Sequence, residues 1–195
     1  MKSKALMPSL FCALILAVEP CVASEAVSVG MKSSIWRQEL PEMGTITTGV
    51  LTIGQKSFLF MPPVGWQVEP DQGGVVRLVG AERSLITIRL LRDTSVKEGA
   101  PAIEKLRQQA QSRVPGAKIF RETVCHTEAE SGPAFDLEWR DAQGIAFGGR
   151  VVFVRVGEES FELSLITLSE RFNGELTAFA GFLTSFQVAV SSAGS

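Results

Sequence analysis

The sequence predicts an α+β domain: a mainly antiparallel β-sheet flanked by helices on both faces. Short segments that are rich in β-branched residues, or that alternate apolar and polar residues, recur through most of the chain. The clearest is residues 133–140, where Phe135, Leu137 and Trp139 alternate with charged side chains. Two other segments carry apolar residues at helical spacing, which predicts the helices that cover the sheet.

The strands are predicted in chain order from these segments and the turns between them. Gly54 and Gln55 are typical of a tight turn, so the first two strands form a hairpin. Residues 151–156 are apolar on both faces except for Arg155, which predicts a central strand. Gly148 and Gly149 predict a β-bulge or a close backbone approach. The predicted strands are residues 45–53, 57–60, 75–79, 84–92, 117–126, 133–140, 145–156, 160–168 and 187–190.

The two helices are predicted at residues 101–114 and 173–185. Pro101 is suited to a first helical position, and the Pro115-Gly116 pair stops the first helix. Asn173 is a suitable N-cap for the second helix. The predicted apolar stripes are Ile103, Leu106, Ala110 and Val114 in the first helix, and Leu176, Phe179, Ala180 and Leu183 in the second. No helix or strand is predicted for residues 24–44.

Residues 60–66 connect the N-terminal hairpin to the rest of the chain. Pro62 and Pro63 end the strand before them because neither can donate a backbone hydrogen bond to a sheet. Gly65 lets the chain turn, so Trp66 is expected to fold back into the core rather than to serve as a ligand platform. On that interpretation, Trp66→Ala costs roughly 3–5 kcal/mol of folding free energy.

Residues 1–23 resemble an export signal. Lys2 and Lys4 give a basic start, the run 5–18 is mostly apolar, and small residues before Ser24 offer a cleavage site. A membrane-spanning helix is the alternative, but the run is shorter than the roughly 20 residues that a bilayer needs. We therefore expect an exported protein, periplasmic or secreted, whose mature chain begins near Ser24 or Glu25; intact mass measured on envelope material checks this.

Composition excludes several classes of function. The formal net charge of −2 predicts no general attraction to nucleic acid or to anionic membranes. Two of the three cysteines, Cys12 and Cys21, lie in the predicted leader, so the mature chain keeps only Cys125. A single cysteine forms no internal disulfide, and the domain must therefore be held by its apolar core.

The sequence resembles the PsbP/Mog/DcrB group of α/β/α sandwich domains. The likeness rests on the Phe60-x-x-Pro63-x-Gly65-Trp66 motif, on the strand and helix order, and on the terminal Ser185-Phe186. It implies mostly non-enzymatic accessory or assembly proteins. The resulting domain division is a signal peptide (1–23), an N-terminal lead-in and hairpin strand (24–56), a PsbP-like domain (57–190) and a frayed tail (191–195).

Cys125 and His126 are the first candidates for chemistry. Successive side chains of a strand point to opposite faces, so the two residues are poorly placed as a nucleophile and its base. The chain has one histidine, which leaves no second base. We interpret Cys125 as a small buried apolar residue and expect Cys125→Ser to leave any activity in place. Glu128 and Glu130 lack metal-ligand spacing, and no metal site is predicted.

Asp136 and Glu138 form an acidic pair on one face of a predicted strand. Acid/base chemistry on a sugar or an ester is one interpretation. The favoured one is a solvated face whose charges are balanced by Arg150 or Arg155 on the next strand. Trp66 and Trp139 could line a groove, although such residues more often fill a core.

These observations predict an exported, non-catalytic binding or assembly module of the cell envelope, with another envelope protein as its partner. No catalytic, cofactor-binding or metal-ligating residue is assigned. Two alternatives stay open: an envelope enzyme whose site assembles from sequence-distant residues, and a carrier of a small apolar ligand. A deep pocket with converging polar groups favours the alternatives, whereas an exposed apolar patch favours the binding module.

Overall fold

The structure is a computed structural model that describes residues 31–42, 44–69, 74–91 and 100–189. The predicted leader and the tail 191–195 lie outside the described residues. No helix in the described ranges is long and apolar enough to cross a membrane.

The described chain is mostly antiparallel β-structure with two helices, an α+β class. The helices are α1 (Ala100–Ser112) and α2 (Phe172–Ser185). The strands are β1 (Met31–Leu40), β2 (Gly44–Ile53), β3 (Lys56–Phe60), β4 (Gln67–Glu69), β5 (Val75–Val79), β6 (Leu85–Leu91), β7 (Lys118–His126), β8 (Ser131–Arg140), β9 (Ala146–Val156), β10 (Glu159–Leu168) and β11 (Gln187–Val188).

The larger sheet has seven antiparallel strands in the order β4-β5-β6-β10-β9-β8-β7. The prediction that residues 151–156 form a central strand is confirmed, because β9 lies between β10 and β8 and only Arg155 of those six residues is exposed. The glycine pair of β9 makes close approaches and no bulge. A Cβ on Gly148 would lie 2.9 Å from the ring of Phe172. The register instead shifts on β7, between Ile119 and Arg121.

A second sheet of four strands, in the order β1-β2-β3-β11, is the main departure from the single predicted sheet. The hairpin β2–β3 is as predicted, but β1 was assigned no element. β1 pairs with β2 along its whole length, from Met31 opposite Ile53 to Leu40 opposite Gly44. Its side chains are mostly exposed, so backbone hydrogen bonds rather than burial hold it. A strand of that kind leaves no apolar alternation in the sequence.

Two clusters of buried residues form the core. The larger one joins both sheets and α2 through six phenylalanines, with ring centroids of Phe161 5.0 Å from those of both Phe58 and Phe186. The same cluster includes Met31, Leu51 and Ile53 of the N-terminal strands. The six phenylalanines are Phe58, Phe60, Phe161, Phe179, Phe182 and Phe186.

The smaller cluster joins α1 to the larger sheet. Leu106 and Ala110 of α1 are buried with Phe135 of β8 and with Val151 and Phe153 of β9. The neighbouring β9 residues Val152 and Val154 belong to the larger cluster. Each helix therefore packs with a different set of β9 side chains.

Both helices differ in detail from their predictions. Ile103 is exposed rather than part of the α1 stripe. In α2, Ala180 is exposed although it was predicted in the stripe, and Phe182 is buried although it was not assigned to the stripe. Asn173 lies inside α2; the residue at the N-cap is Arg171, which makes no side-chain capping hydrogen bond.

Candidate functional site

Cys125 and His126 lie next to each other on β7 with very different surroundings. Cys125 is 8% exposed and belongs to the larger core cluster. His126 is exposed, and its Nδ1 lies 2.6 Å from Oγ of Ser131. Burial raises the pKa of the Cys125 thiol, the nearby Asp136 charge raises it further, and the Arg150 guanidinium opposes both. The thiol is therefore protonated at neutral pH, when it is a weak nucleophile.

Asp136 is fully buried, so its predicted place on a solvated face is wrong. Arg150 donates to both carboxylate oxygens, from Nε to Oδ1 at 2.6 Å and from Nη2 to Oδ2 at 3.0 Å. Arg121 donates from its own Nε to Oδ2. We call these three residues the Asp136 cluster. The predicted balance by Arg150 is confirmed, and the hydrogen bond to Asp136 is the main reason that the pKa of Arg150 is raised.

Glu138 is exposed, unlike Asp136, and the two do not share an environment. Arg155 does not balance either acid; it donates to the carbonyl oxygen of Gly157 at 3.2 Å. Glu138 lines a shallow groove of about 520 Å³ together with Trp139, whose ring stacks on Phe147 with centroids 5.6 Å apart. Trp139 therefore serves as a groove wall as well as a contact of the smaller core cluster.

The stretch 61–66 contains a tight turn at the surface. The backbone N–H of Trp66 donates to the carbonyl oxygen of Pro63 at 3.0 Å, and Gly65 has φ 82°. A positive φ at the third residue of such a turn suits glycine. Val64, at the tip, is fully exposed, and Met61 is 53% exposed.

Trp66 is half-buried, so the prediction that it is purely a core residue is only partly right. Its ring packs against the larger core cluster and covers Gly80, where an added Cβ would lie 2.6 Å from the ring. The same ring also lines an open groove of about 800 Å³. A partner bound in that groove would contact the tryptophan directly.

The groove, which we call the turn groove, lies between residues 61–66 and one face of α2. On the helix side it is lined by Gly174, Ala178 and Gly181, spaced so that they share a face. The turn is fixed to the helix because the backbone N–H of Met61 donates to Oγ of Ser185 at 2.8 Å. The hydrogen bond therefore links the two sides of the groove at the start of the turn.

The charged side chains at one end of the turn groove are paired with each other. Arg171 contacts Glu82 at 2.6 Å and Glu175 at 2.7 Å, and both Arg171 and Glu175 line the groove. Most of the remaining lining is apolar or small. The turn groove therefore suits an uncharged, apolar occupant.

A second buried carboxylate, Glu162 of β10, was not predicted as a site residue. It is 2% exposed and accepts three hydrogen bonds of 2.6 to 3.0 Å from Arg113, just beyond α1, and one of 3.0 Å from Gln109. Arg89 of β6 is its cross-strand neighbour. We call these four residues the Glu162 cluster. The feature of the sequence that could have revealed this site is a charged residue, Glu162, within a mostly apolar predicted strand.

Arg89 is the unusual member of the Glu162 cluster. Its Nε lies 3.6 Å from Oε1 of Glu162, too far for a hydrogen bond. That Nε is buried and, within the described ranges, has no hydrogen-bond partner. Burial lowers the pKa of Arg89, the charges of Arg113 and Arg77 add to that effect, and Glu162 opposes it.

Metal ligation finds no support in the residues described. No group of three or more His, Cys, Asp or Glu side chains among them could hold a metal ion. Glu128 and Glu130 are exposed and are not gathered with other ligands.

Three solved structures are similar to this chain. LpqN of Mycobacterium tuberculosis, involved in cell envelope biogenesis, is 13% identical over 82% of this chain and 92% of its own, with a TM-score of 0.49. The PsbP of Synechocystis sp. PCC 6803 (CyanoP) is 16% identical over 87% and 99%, with a TM-score of 0.46. The Pseudomonas aeruginosa protein PA94, of unknown function, is 15% identical over 74% and 90%, with a TM-score of 0.40.

A PsbP, a member of the group that the sequence resembles, is thus among the similar structures. No protein-family profile and no curated protein matches the chain.

Proposed function

We propose that this protein is an exported, non-catalytic accessory module of the cell envelope that binds a partner through the turn groove. The observation that carries the proposal is the exposed apolar ridge of Met61 and Val64 beside the small-residue face of α2. An exposed apolar surface with a rigid frame is typical of a protein interaction site. Export is supported by the leader-like residues 1–23.

The proposal includes a sandwich in which α1 and α2 cover opposite faces of the seven-stranded sheet. Successive residues of a strand point to opposite faces. Val152 packs in the cluster that contains α2, whereas Phe153 packs in the cluster that contains α1. The turn groove would then occupy the outer side of one covering layer, free of the sheet.

The proposed occupant is an extended apolar segment of another envelope protein. The paired charges of Arg171, Glu82 and Glu175 leave no strong field to attract an ionic ligand. Gly174 and Gly181 have no heavy atom within 4 Å of an added Cβ, so a partner backbone can approach α2 closely. The volume of about 800 Å³ also suits a small ligand, but such pockets bury most of the ligand, whereas the turn groove is open.

Site-specific photocrosslinking tests the proposal. A photoreactive amino acid replaces Val64 in the full-length chain expressed in its native cells, and adducts are identified by mass. We expect one adduct with a defined envelope protein, and no such adduct when the photoreactive residue replaces the exposed Gln143, in a turn that does not line the groove. Equal labelling from both positions would contradict the proposal.

Two matched substitutions test whether the partner binds in the turn groove itself. Gly181→Glu adds a carboxylate to the groove at a position with open space around it, whereas Thr184→Glu adds one to an exposed part of α2 outside the groove. The adduct should disappear in the first variant and persist in the second. A bound lipid or other small apolar molecule that is lost only in Gly181→Glu, seen by native mass spectrometry, would favour the carrier alternative instead.

A further inference from the structure

Two arginines project side by side from the larger sheet, next to the Glu162 cluster. Arg77 of β5 is opposite Thr87 of β6, and Arg89 follows Thr87 by two residues, so all three side chains share one face of the sheet. Glu162 is opposite Arg89 and Ser164 is opposite Thr87, which extends the same face onto β10.

The positive charge on this face exceeds the negative charge available to it. Arg77, Arg89 and Arg113 carry the positive charge, against the two carboxylates of Glu162 and Glu69. The hydrogen bonds of Glu162 are made by Arg113 and Gln109. Arg77 makes no ion pair within 4 Å with any residue of the described ranges, not even with its cross-strand neighbour Glu69. Two guanidinium groups are therefore left with donors to spare.

A hydroxyl pair lies beside Arg77 on this face, in the row next to Arg89 and Glu162. Oγ1 of Thr87 and Oγ of Ser164 are 2.6 Å apart, so one hydroxyl donates to the other. Each hydroxyl carries one proton, and the pair uses only one of the two. The second proton remains available to an incoming acceptor on the same face.

We propose that this face is a binding site for a phosphate group, held by Arg77, Arg89 and the hydroxyl pair Thr87–Ser164. A single carboxylate pairs with one guanidinium through two parallel hydrogen bonds. A phosphate group offers additional acceptor oxygens, so it can engage two guanidiniums and a hydroxyl together. The Arg89 side chain is 35% exposed although its Nε is buried, so such a ligand would reach the guanidinium through its outer nitrogens. The site is separate from the turn groove and does not depend on the proposed function.

NMR of arginine side chains tests the site directly. The Nε–Hε resonance of Arg89 is assigned by its loss in Arg89→Lys, and inorganic phosphate is titrated into the purified chain at constant ionic strength set by chloride. We expect this resonance to shift and saturate with phosphate. A resonance that does not move, or that moves equally when chloride replaces phosphate, overturns the proposal.

Two matched substitutions distinguish specific binding at this site from a general attraction of phosphate to positively charged side chains. Arg77→Ala should weaken phosphate binding about tenfold or more, because it removes one of two guanidiniums without breaking an ion pair among the described residues. Arg140→Ala removes an equal charge elsewhere and should leave the affinity unchanged, because within the described ranges this side chain bonds only the carbonyl oxygen of Gly144. Equal losses in both variants would show that the binding is non-specific.

The source of the phosphate group is found by comparing two ligands. Glycerol 3-phosphate in solution represents a small phosphorylated metabolite, and vesicles of phosphatidylcholine with and without phosphatidylglycerol represent a lipid headgroup. If the chain binds one of these two ligands and Arg77→Ala weakens that binding, the result supports the site and identifies the source of the phosphate group. Failure of inorganic phosphate, glycerol phosphate and the anionic vesicles alike would overturn it, while leaving the turn groove untouched.

Discussion

The larger sheet contains two buried carboxylates whose surroundings differ. Asp136 on β8 is 0% exposed and Glu162 on β10 is 2% exposed, and each lies among arginines. In the Asp136 cluster, both guanidiniums hydrogen-bond to the carboxylate. In the Glu162 cluster, Arg113 and Gln109 supply the hydrogen bonds, whereas Arg89 stays at 3.6 Å with its Nε unpartnered.

The pKa values of Arg150, in the Asp136 cluster, and Arg89, in the Glu162 cluster, shift in opposite directions. The hydrogen bond to Asp136 raises the pKa of Arg150, while burial lowers the pKa of Arg89. A buried charge is stabilised when its donors are used and costs free energy when they are not. The Asp136 cluster is thus a closed structural network, and the Glu162 cluster retains a donor that folding alone does not use.

The largest expected effect is that of Asp136→Asn. The substitution leaves the charges of Arg150 and Arg121 without their carboxylate, and Arg150 is only 14% exposed. Breaking a buried ion pair in this way costs about 3–5 kcal/mol of unfolding free energy. Urea unfolding of the purified variant measures the loss, and a loss below that of Glu162→Gln would contradict the comparison.

Glu162→Gln should cost less, about 1–3 kcal/mol. The arginines around it, Arg113 and Arg89, are each 35% exposed, so water can solvate the charge that loses its partner. The same variant removes a negative charge next to Arg89 of the proposed phosphate site and should therefore bind inorganic phosphate more tightly. Weaker phosphate binding in a folded variant would contradict that interpretation.

Arg89→Met sharpens the comparison further. Methionine replaces the aliphatic part of the side chain and removes the unpartnered donor, so stability should change by about 1 kcal/mol or less in either direction. The matched variant Arg150→Met removes the principal partner of Asp136 and should cost about 3 kcal/mol. Equal losses, measured by thermal unfolding, would mean that Arg89 is as structural as Arg150.

The sequence predicted those parts of the fold that depend on apolar patterning. The strands from residue 75 to residue 168 and the two helices were found because burial imposes a period on the sequence. The strand β1 was missed because its pairing with β2 uses backbone atoms, and side chains such as Trp36 stay exposed. Phe182 was left out of the α2 stripe because α2 packs against two sheets, which widens its buried face beyond a single stripe.

The candidate sites were less predictable, since they depend on contacts between strands. Asp136 was expected to be solvated because alternation cannot tell which face of a strand a helix or a second sheet covers. Arg77, Arg89 and Glu162 come together only through the strand order β5-β6-β10, which joins residues about 70 to 80 positions apart in the chain. The turn at 61–66, by contrast, was visible because proline and glycine determine it locally.

The smallest expected effect concerns Cys125, at the edge of the Asp136 cluster. Nη1 of Arg150 lies 3.8 Å from its Sγ, yet the pKa of the thiol is raised above the ordinary value of 9.0 by burial. A raised pKa in the folded state means that the neutral thiol stabilises the fold below about pH 9, and that this contribution is lost as pH rises through the folded-state pKa. Cys125→Ser should cost about 1 kcal/mol or less at neutral pH.

The reactivity of the Cys125 thiol tests whether Asp136 prevents Arg150 from activating it. The Asp136 charge raises the thiol pKa and also holds the Arg150 guanidinium in its own hydrogen bonds. In Asp136→Asn, the guanidinium is left uncompensated, so the pKa of Cys125 should fall and iodoacetamide should react faster with the folded protein. Arg150→Met should react more slowly than the parent chain because the opposing positive charge is gone. If both variants react at the parental rate, the Asp136 cluster has no electrostatic influence on Cys125, and burial alone protects the thiol.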